Sequence, residues 1–448
     1  MVVALAAGCG LLGVHQVNAQ SADALIDKLV EKGILTAAEA RTLREEADQG
    51  FTAAYQAKTG MPDYVNALRF NGDFRGRYDG IYKDGPEFEE RHRWRYRMRF
   101  GVTVDLLDDF EIGFRLGSGD VAGLSSGGNN GADPISLNQS LTGNAAKKGV
   151  FIDLAYASWS PLRGPDWSAR TTIGKMENPF TFSDIVFDRD YTPEGAAQTF
   201  GYRAGENHAL QATGAGFVLN EFSSRSEDPY FLGAQLRWDA DWHADWQTSL
   251  GAAFITIGNR EGLGNLDVPN INAGNTRVPG ATVPANATPA YGFNALALDA
   301  EVTYTIEDGI PFYPAKFPIS LQADYVHNHS APDDNTGYAV GLQLGKTGRR
   351  GLWELSYRYK RLEADYWYEE MIDSNSGGFY ASALPNSGFG SSYRAGSNVA
   401  GHIVRAGYSA TDSLTFSLMA AFMETINQTP GAGGGDIVRV LADAQFKF

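Results

Sequence analysis

The sequence predicts an all-β protein, a 16-stranded antiparallel transmembrane β-barrel that follows a short N-terminal helical segment. Apolar and polar residues alternate with a period of two from Ala67 to the C-terminus, over segments of ten or more residues. The connections between these segments are alternately short and long. Strands of soluble sandwiches average about five or six residues, whereas a tilted strand needs about ten to cross a bilayer. The strand lengths therefore favour a membrane barrel.

The composition excludes several other classes of protein. The chain has 448 residues, a formal net charge of −16 and a single cysteine, Cys9. The acidic balance argues against a nucleic-acid binder, because phosphate contacts need a basic surface. No apolar stretch of the sequence reaches the length that a membrane-spanning helix requires. One cysteine close to the N-terminus leaves no disulfide framework and no thiol metal site.

Residues 1–19 are predicted to be an export signal. Their apolar stretch ends in the small-residue motif Val17-Asn18-Ala19, so we expect cleavage after Ala19. Lipid attachment at Cys9 is the alternative, but the apolar stretch before it is short for that processing. A mature chain without cysteine suits passage through an oxidising periplasm.

Residues 20–50 are predicted to form two short periplasmic helices, followed by a linker at residues 51–66. Leu25 and Leu29 lie on one helical face, and Gly33 stands where a left-handed C-terminal cap belongs. Thr36 and Glu39 form a capping box that begins the second helix. Two roles stay open for this segment: oligomerisation or attachment to the cell wall, and shielding of the barrel mouth.

Residues 67–448 are predicted to form the barrel. Seven short joins and eight long loops separate the alternating segments, which gives sixteen strands with the short joins on the periplasmic side. The final strand shows the alternation most clearly, with Leu441 as its one exception. An aromatic girdle is expected around the short joins, formed by Phe110, Trp159, Trp167, Trp242 and Trp246.

The residues expected to line the pore are arginines of the first three strands. On the second strand arginines alternate with Trp94, Met98 and Phe100, and the aromatic face must meet lipid, so the arginines face the lumen. This ladder comprises Arg75, Arg77, Arg93, Arg95, Arg97, Arg99 and Arg115. Facing like charges are destabilising, so we expect acids of the third long loop to lie opposite and create a transverse field. These acids are Asp184, Asp188, Asp190 and Glu194. The alternative is that the arginines only solvate a wet lumen.

The segment DIVFDRDYTPEG, at positions 184–195, resembles the Putative porin family, a relative of the phosphate-selective porins. The export signal, the alternating strands and the terminal Phe448 add to a resemblance to bacterial outer-membrane porins. The resemblance implies location in the bacterial outer membrane, a trimer of sixteen-stranded barrels, and a third loop folded inward as a constriction. It also implies that the outer-membrane assembly machinery reads the terminal strand, through Phe446 and Phe448.

These observations predict passive diffusion of small hydrophilic solutes, with the third loop setting size and the arginines setting charge preference. One alternative is an anion-specific channel for phosphate or another oxyanion, and another is a structural anchor or a plugged barrel with a surface activity. No recognisable motif places a nucleophile beside a base, so no enzyme is predicted, and no cofactor or metal site. The expected partners are solutes or anions, outer-membrane lipid, the assembly machinery, further copies of the chain and, through the helices, the cell wall, but no nucleic acid.

Overall fold

The computed structural model describes residues 61–83, 89–120, 133–243, 245–265, 267–269, 273–278, 287–380, 392–427 and 436–448. The predicted export signal, the predicted helices and residues 51–60 of the predicted linker lie outside the described residues. Residues 68–448 form one compact unit. No helix among the described residues is long and apolar enough to cross a membrane.

Sixteen long strands form the wall of this unit. They are β1 Val65–Lys83, β2 Arg91–Leu106, β3 Phe110–Gly119, β4 Gly149–Arg163, β5 Trp167–Lys175, β6 Glu194–Ala204, β7 His208–Val218, β8 Tyr230–Asp241, β9 Trp246–Gly258, β10 Phe293–Ile306, β11 Phe317–Asn328, β12 Thr336–Gly345, β13 Trp353–Leu362, β14 Val399–Ser409, β15 Leu414–Thr425 and β16 Ile437–Lys447. Each strand pairs with the next along the chain.

The last strand pairs with the first, which closes the sheet. The register of β16 on β1 runs antiparallel from Asp73 opposite Lys447 to Lys83 opposite Ile437. The backbones of Gly72 and Phe448 exchange two hydrogen bonds, of 3.0 and 3.1 Å, at the end of this seam. The predicted closed barrel of sixteen antiparallel strands is confirmed. Its first strand begins at Val65, two residues before the predicted boundary at Ala67.

The loops and turns contain short strands and 3₁₀ segments. The two-residue strand Gln139–Ser140 pairs with β2, Arg277–Val278 pairs with Thr288–Pro289, and Gly377–Tyr380 pairs with Ser392–Ala395. One-turn 3₁₀ segments occur at Leu107–Asp109 and Arg260–Gly262. The β2–β3 turn is tight because Asp108 and Asp109 adopt left-handed backbone angles, which short polar side chains tolerate.

The outer face of the wall is apolar, as a lipid-facing surface requires. Trp94 and Leu236, for example, are 64% and 68% exposed. Phe446, in the predicted assembly signal, is also exposed and lies opposite Phe74 across the seam. Aromatic pairs gather near the short turns, including Phe110 stacked on Trp159 and the tilted pairs Trp167–Tyr202 and Trp246–Tyr304.

Three of the longer connections matter for the interior. We call them L2 (residues 120–148), L3 (residues 176–193) and L7 (residues 363–398). Side chains of L3 and L7 and the inner faces of several strands share one large buried apolar cluster. Leu441, the exception in the alternation of the last strand, belongs to this cluster. The barrel interior therefore contains an apolar core as well as polar wall.

Candidate functional site

The inner face of β2 carries a column of arginines. Arg93, Arg95, Arg97 and Arg99 alternate with the exposed side chains Trp94, Met98 and Phe100. Their side chains are between 4% and 18% exposed, so the column lies inside the wall. The alternation inferred from the sequence thus corresponds to an inner and an outer face.

Most of the charge opposite this column comes from neighbouring strands. Asp73 of β1 accepts hydrogen bonds from Arg97, at 2.9 Å, and from Arg99. Asp79, also of β1, accepts from Arg93 at 2.5 Å and from Arg439 of β16 at 2.9 Å. Asp73 and Asp79 lie on the same strand face as Arg75 and Arg77. The negative charge opposite the arginines therefore comes from the wall as well as from the third loop, which alone was expected to supply it.

The other arginines of the ladder have partners on the wall, in L2 or in L3. Arg77 forms a bidentate pair with Asp443 of β16, with both distances at 2.7 Å. Arg115 contacts Asp153 at 2.5 Å and Glu177 at 2.8 Å.

Asn138 of L2 contacts the remaining two arginines of the ladder. Its side-chain oxygen accepts from Arg75 at 2.8 Å, and its carbonyl oxygen accepts from Arg95 at 3.2 Å. Asn138 is buried, so this part of L2 lies against the inner face of the barrel.

The four predicted acids of the third loop lie in four different environments. Asp190 meets the ladder, with its carboxylate 2.6 Å from Arg97 and 3.1 Å from Arg99. Asp184 pairs instead with Arg358 of β13. Glu194 begins β6 and pairs with Lys175 at 3.1 Å, so it does not join the ladder.

The fourth acid, Asp188, faces L7 rather than the ladder. Its carboxylate accepts hydrogen bonds from the backbone amides of Asp190 and Ser374, both at 2.8 Å. Asp188 forms no ion pair with any described residue, and its side chain is buried. This contact corrects the expectation that the Asp188 carboxylate faces the arginines. The partner segment of L7 is remote in sequence, so the local pattern could not indicate the contact.

L7 is a part of the interior that the sequence analysis did not identify. The amide of Asp188 donates to the carbonyl oxygen of Met371 at 2.7 Å, and the Tyr366 hydroxyl donates to the carbonyl oxygen of Ile185 at 2.7 Å. Lys360 of β13 donates to Asp373 at 3.0 Å. L7 thus binds both L3 and the wall.

Apolar contacts hold the first part of L3 against β7 and β8. The ring of Phe180 lies 6.1 Å from Phe217 and 5.8 Å from Phe231. Trp367 of L7 packs at 6.2 Å from Phe231 and 6.0 Å from Phe293 of β10, and it is fully buried.

The sequence of β9 indicates that apolar residues cover its inner face. There Phe254 faces outward while its neighbours Ile255 and Ile257 are buried on the inner face, so both faces are apolar. A strand that is apolar on both faces has no wet lumen on its inner side.

Among the cavities lined by described residues, two lie inside the wall. One has a volume of about 510 Å³ and is bounded by L3, L7 and the inner faces of β1, β2 and β11–β16. We call it the charged chamber. Its charged lining consists of Arg75, Arg77, Arg97, Arg189, Arg358, Arg405, Asp184, Asp188, Asp190, Glu354, Asp373 and Asp443. The other has a volume of about 980 Å³ and lies against β3–β6, beside Arg115 and Glu177.

Three arginines of the charged chamber have no carboxylate partner among the described residues. Among the described side chains, the Arg75 guanidinium hydrogen-bonds only to the amide oxygen of Asn138, and that of Arg405 only to the sulfur of Met419, at 3.7 Å. Arg189, at the exposed turn of L3, has no side-chain partner in the described part of the chain. Within the described part of the chain, these three guanidinium groups therefore lack the carboxylate partners that Arg77, Arg97 and Arg358 have.

The loop carboxylates differ in their affinity for protons. Burial, and then the nearby Asp373 and Asp190 carboxylates, raise the pKa of Asp188 to about 7. Burial also disfavours the charge on Asp190, but Arg97 and Arg99 outweigh it and hold the pKa of Asp190 below its usual value. Asp188 therefore changes charge near neutral pH, whereas Asp190 stays ionised there.

Comparison with known proteins agrees with this architecture. Residues 86–277 match the sequence profile of the family described as "Putative porin". The chain is similar to the high-pH structure of OprB from Pseudomonas putida, with a TM-score of 0.51, 12% identity, and coverage of 90% of this chain and 97% of that one. A weaker similarity, with a TM-score of 0.43 and 9% identity, relates it to a loop-deletion mutant of OmpT, an outer membrane protein of Vibrio cholerae. That alignment covers 86% of this chain and 100% of the other.

The comparison with curated proteins gave no match. The profile match and the shared barrel nevertheless confirm the resemblance seen in the sequence. The chain carries the sequence pattern of the Putative porin family over residues 86–277 and has the fold of the bacterial outer-membrane porins.

Proposed function

We propose that the protein is a passive diffusion channel for small hydrophilic solutes, with its constriction where L3 crosses the lumen. The observation that carries this proposal is the span of L3. Asp190 binds Arg97 and Arg99 of β2, whereas Asp184 binds Arg358 of β13. A loop anchored to both of these strands narrows the passage, and the polar walls around it suit hydrated solutes.

The uncompensated charges in the charged chamber favour anions over cations, because three of its arginines lack an ion pair with a described residue, whereas among its carboxylates only Glu354 and Asp188 do. The paired arginines have their charge compensated locally, but Arg75, Arg189 and Arg405 do not. Asp188 is only partly ionised near neutral pH, which reduces the opposing negative charge. A mobile anion therefore meets uncompensated positive charge in a space of low dielectric, where each charge acts over a longer range.

Reversal potential in a salt gradient tests this proposal. We expect a mild preference for anions in the native channel, and a shift toward cations when Arg75 and Arg405 are both replaced by Ser. The control is Arg163→Ser, because Arg163 is exposed beside a periplasmic turn and pairs with Asp109. Equal reversal potentials for the native channel and the double variant would contradict the assignment of these arginines to the pore.

An oxyanion-specific channel is the second candidate, and the same three arginines favour it. Guanidinium groups without carboxylate partners can bind carboxylate or phosphate oxygens through two parallel hydrogen bonds. Conductance that saturates as the anion concentration rises would support a binding site. Conductance that increases linearly would support general diffusion.

A non-conducting anchor is the third candidate, favoured by the apolar core that fills part of the interior. Purified protein that gives no conductance in planar bilayers would support this candidate and contradict both channel proposals.

We also propose a homotrimer. A groove of about 750 Å³ on the outer face, between Trp94, Tyr408 and Phe416, includes the exposed Leu141 of L2 and offers an apolar surface to another copy. Light scattering in mild detergent should give three times the monomer mass, and a monomer would contradict the proposal.

Phe448→Ala should insert more slowly than the native chain, because the terminal aromatic is the proposed assembly signal.

A further inference from the structure

The segment of L7 from Met371 to Ser376 reaches three strands of the wall. The Lys360 ammonium of β13 donates to Asp373 at 3.0 Å. Arg77 of β1 donates to the side-chain oxygen of Asn375 at 2.9 Å. Arg439 of β16 donates to the carbonyl oxygen of Ser374 at 2.9 Å. The segment therefore lies across the strands that border the charged chamber, and both Asp373 and Asn375 line that chamber.

The same segment is joined to L3 by a short ladder of hydrogen bonds. The Asp188 amide donates to Met371 at 2.7 Å, and the Asp373 amide donates to the carbonyl oxygen of Asp184 at 2.9 Å. The Ser374 amide donates to the Asp188 carboxylate at 2.8 Å. Only the last of these bonds uses a side chain of L3, so it is the one that a change in charge can alter.

The three acids at this junction are not equally compensated. Asp190 has two arginine partners, and Asp373 has Lys360 together with donors from Asn375 and Ser376. Asp188 has two backbone amides and no cation among the described residues. Its carboxylate is thus buried with two like charges nearby.

We propose that residues Met371 to Ser376 of L7 form the second half of the constriction, and that the Asp188 carboxylate is the positioning group that joins them to L3. This inference rests on the proposed channel function. It assigns a pore-forming role to a second loop and gives Asp188 a role apart from the arginine column.

Proton binding by Asp188 should change how firmly the two loops are joined. In the joined state its pKa is about 7, whereas an unperturbed aspartate has a pKa of about 4. The joined state therefore binds the proton more tightly than a separated state does. Linkage then requires that junction stability is fully present below about pH 4 and is lost as pH rises through about 7.

The other charged groups around Asp188 do not titrate in this interval in a way that reverses the sign. Asp190 is held ionised by Arg97 and Arg99 of β2. Asp373 is held ionised by Lys360 of β13, despite its burial, so its pKa is lowered. Both remain negative as pH rises, so ionised Asp188 meets two fixed like charges.

The first test is single-channel conductance from pH 5 to pH 9. We expect the native channel to conduct more, and with more current noise, at pH 9 than at pH 5, with the step centred near pH 7. Asp188→Asn should lose the step. The matched control is Glu194→Gln, which neutralises one carboxylate at the end of the same connection and should keep it. A flat native profile, or a step retained in Asp188→Asn, overturns the role of Asp188.

The second test measures the location of L7 without relying on Asp188. Asn375→Cys, made in a Cys9→Ser background, should lose conductance when a small charged thiol reagent is added, because Asn375 lines the charged chamber. Thr411→Cys, in a periplasmic turn, should react without loss of conductance. Labelled Asn375→Cys that conducts like the unlabelled variant overturns the pore-forming role of L7. A native protein that never conducts refutes the channel function instead, so the two failures are distinguishable.

Discussion

The inner wall of β7–β10 and the inner wall of β1–β2 hold the same loop by opposite chemistry. On β7 and β8, Phe180 of L3 packs against the rings of Phe217 and Phe231. On β2, Asp190 of L3 is held by Arg97 and Arg99. The apolar contact excludes water, whereas the charged contact borders the charged chamber.

The two contacts also differ in what they contribute to stability. Full burial of a large apolar side chain contributes about 1.5–3 kcal/mol. Partly exposed ion pairs contribute about 0–1 kcal/mol, and buried pairs can cost as much in desolvation as they gain. We infer that the β7–β10 side anchors the loops and that the β1–β2 side determines what the channel selects.

The largest effect should come from removing the apolar anchor. Trp367→Ala should weaken the packing of L7 by about 3–5 kcal/mol, because it empties a fully buried site between Phe231 and Phe293. We expect faster proteolysis within L7 and larger, noisier single-channel currents, with the barrel still folded.

Leu236→Ala is the control for this variant, since Leu236 faces outward on β8 and is 68% exposed. It should leave both proteolysis and current noise as in the native protein. Equal behaviour of Trp367→Ala and Leu236→Ala would show that the apolar cluster does not hold L7.

A moderate effect is expected on the charged side. Asp190→Asn should free Arg97 and Arg99 from the loop carboxylate, so the reversal potential should shift toward anions at low salt. The shift should shrink at 1 M salt, where the screening length falls to about 3 Å. Asp109→Asn, at an exposed turn, serves as the control with the same change in charge. A shift toward cations would mean that Asp190 does not oppose the arginine column.

The smallest effect is expected at Glu194. Its carboxylate is 64% exposed and pairs with Lys175 at 3.1 Å, an arrangement that contributes about 0–1 kcal/mol. Glu194→Gln should leave reversal potential and thermal stability unchanged within error. A selectivity shift as large as that of Asp190→Asn would place Glu194 in the pore and remove the distinction drawn here between the two carboxylates.

The strands and connections were predictable because they depend on local alternation, which lipid on one side and a polar interior on the other impose. The orientation of the β2 arginines followed from the same pattern. The partners of those arginines were harder to predict, although Asp73 and Asp79 alternate visibly with Arg75 and Arg77. Pairing across strands depends on register, which is set by the turns as well as by the alternation within each strand.

The position of L7 inside the barrel was not predictable for a different reason. Its contacts with L3 join residues such as Asp188 and Ser374, which are 186 positions apart and carry no shared motif. The signals that could have indicated a filled interior were Leu441 on a polar face and Ile255 beside Phe254 on β9. Each looks like a minor irregularity until the loops that cover it are known.

The seam between β1 and β16 has a consequence for the order of folding. Its ion pairs join residues 366 positions apart, Arg77 with Asp443, and 360 positions apart, Arg439 with Asp79. Contacts of such high contact order form late, because the entropy of closing the intervening chain must be lost first. Asn375 and Ser374 of L7 bind these same two arginines. We therefore expect L7 to reach its final position only after the seam has formed, so that the barrel closes before its interior narrows.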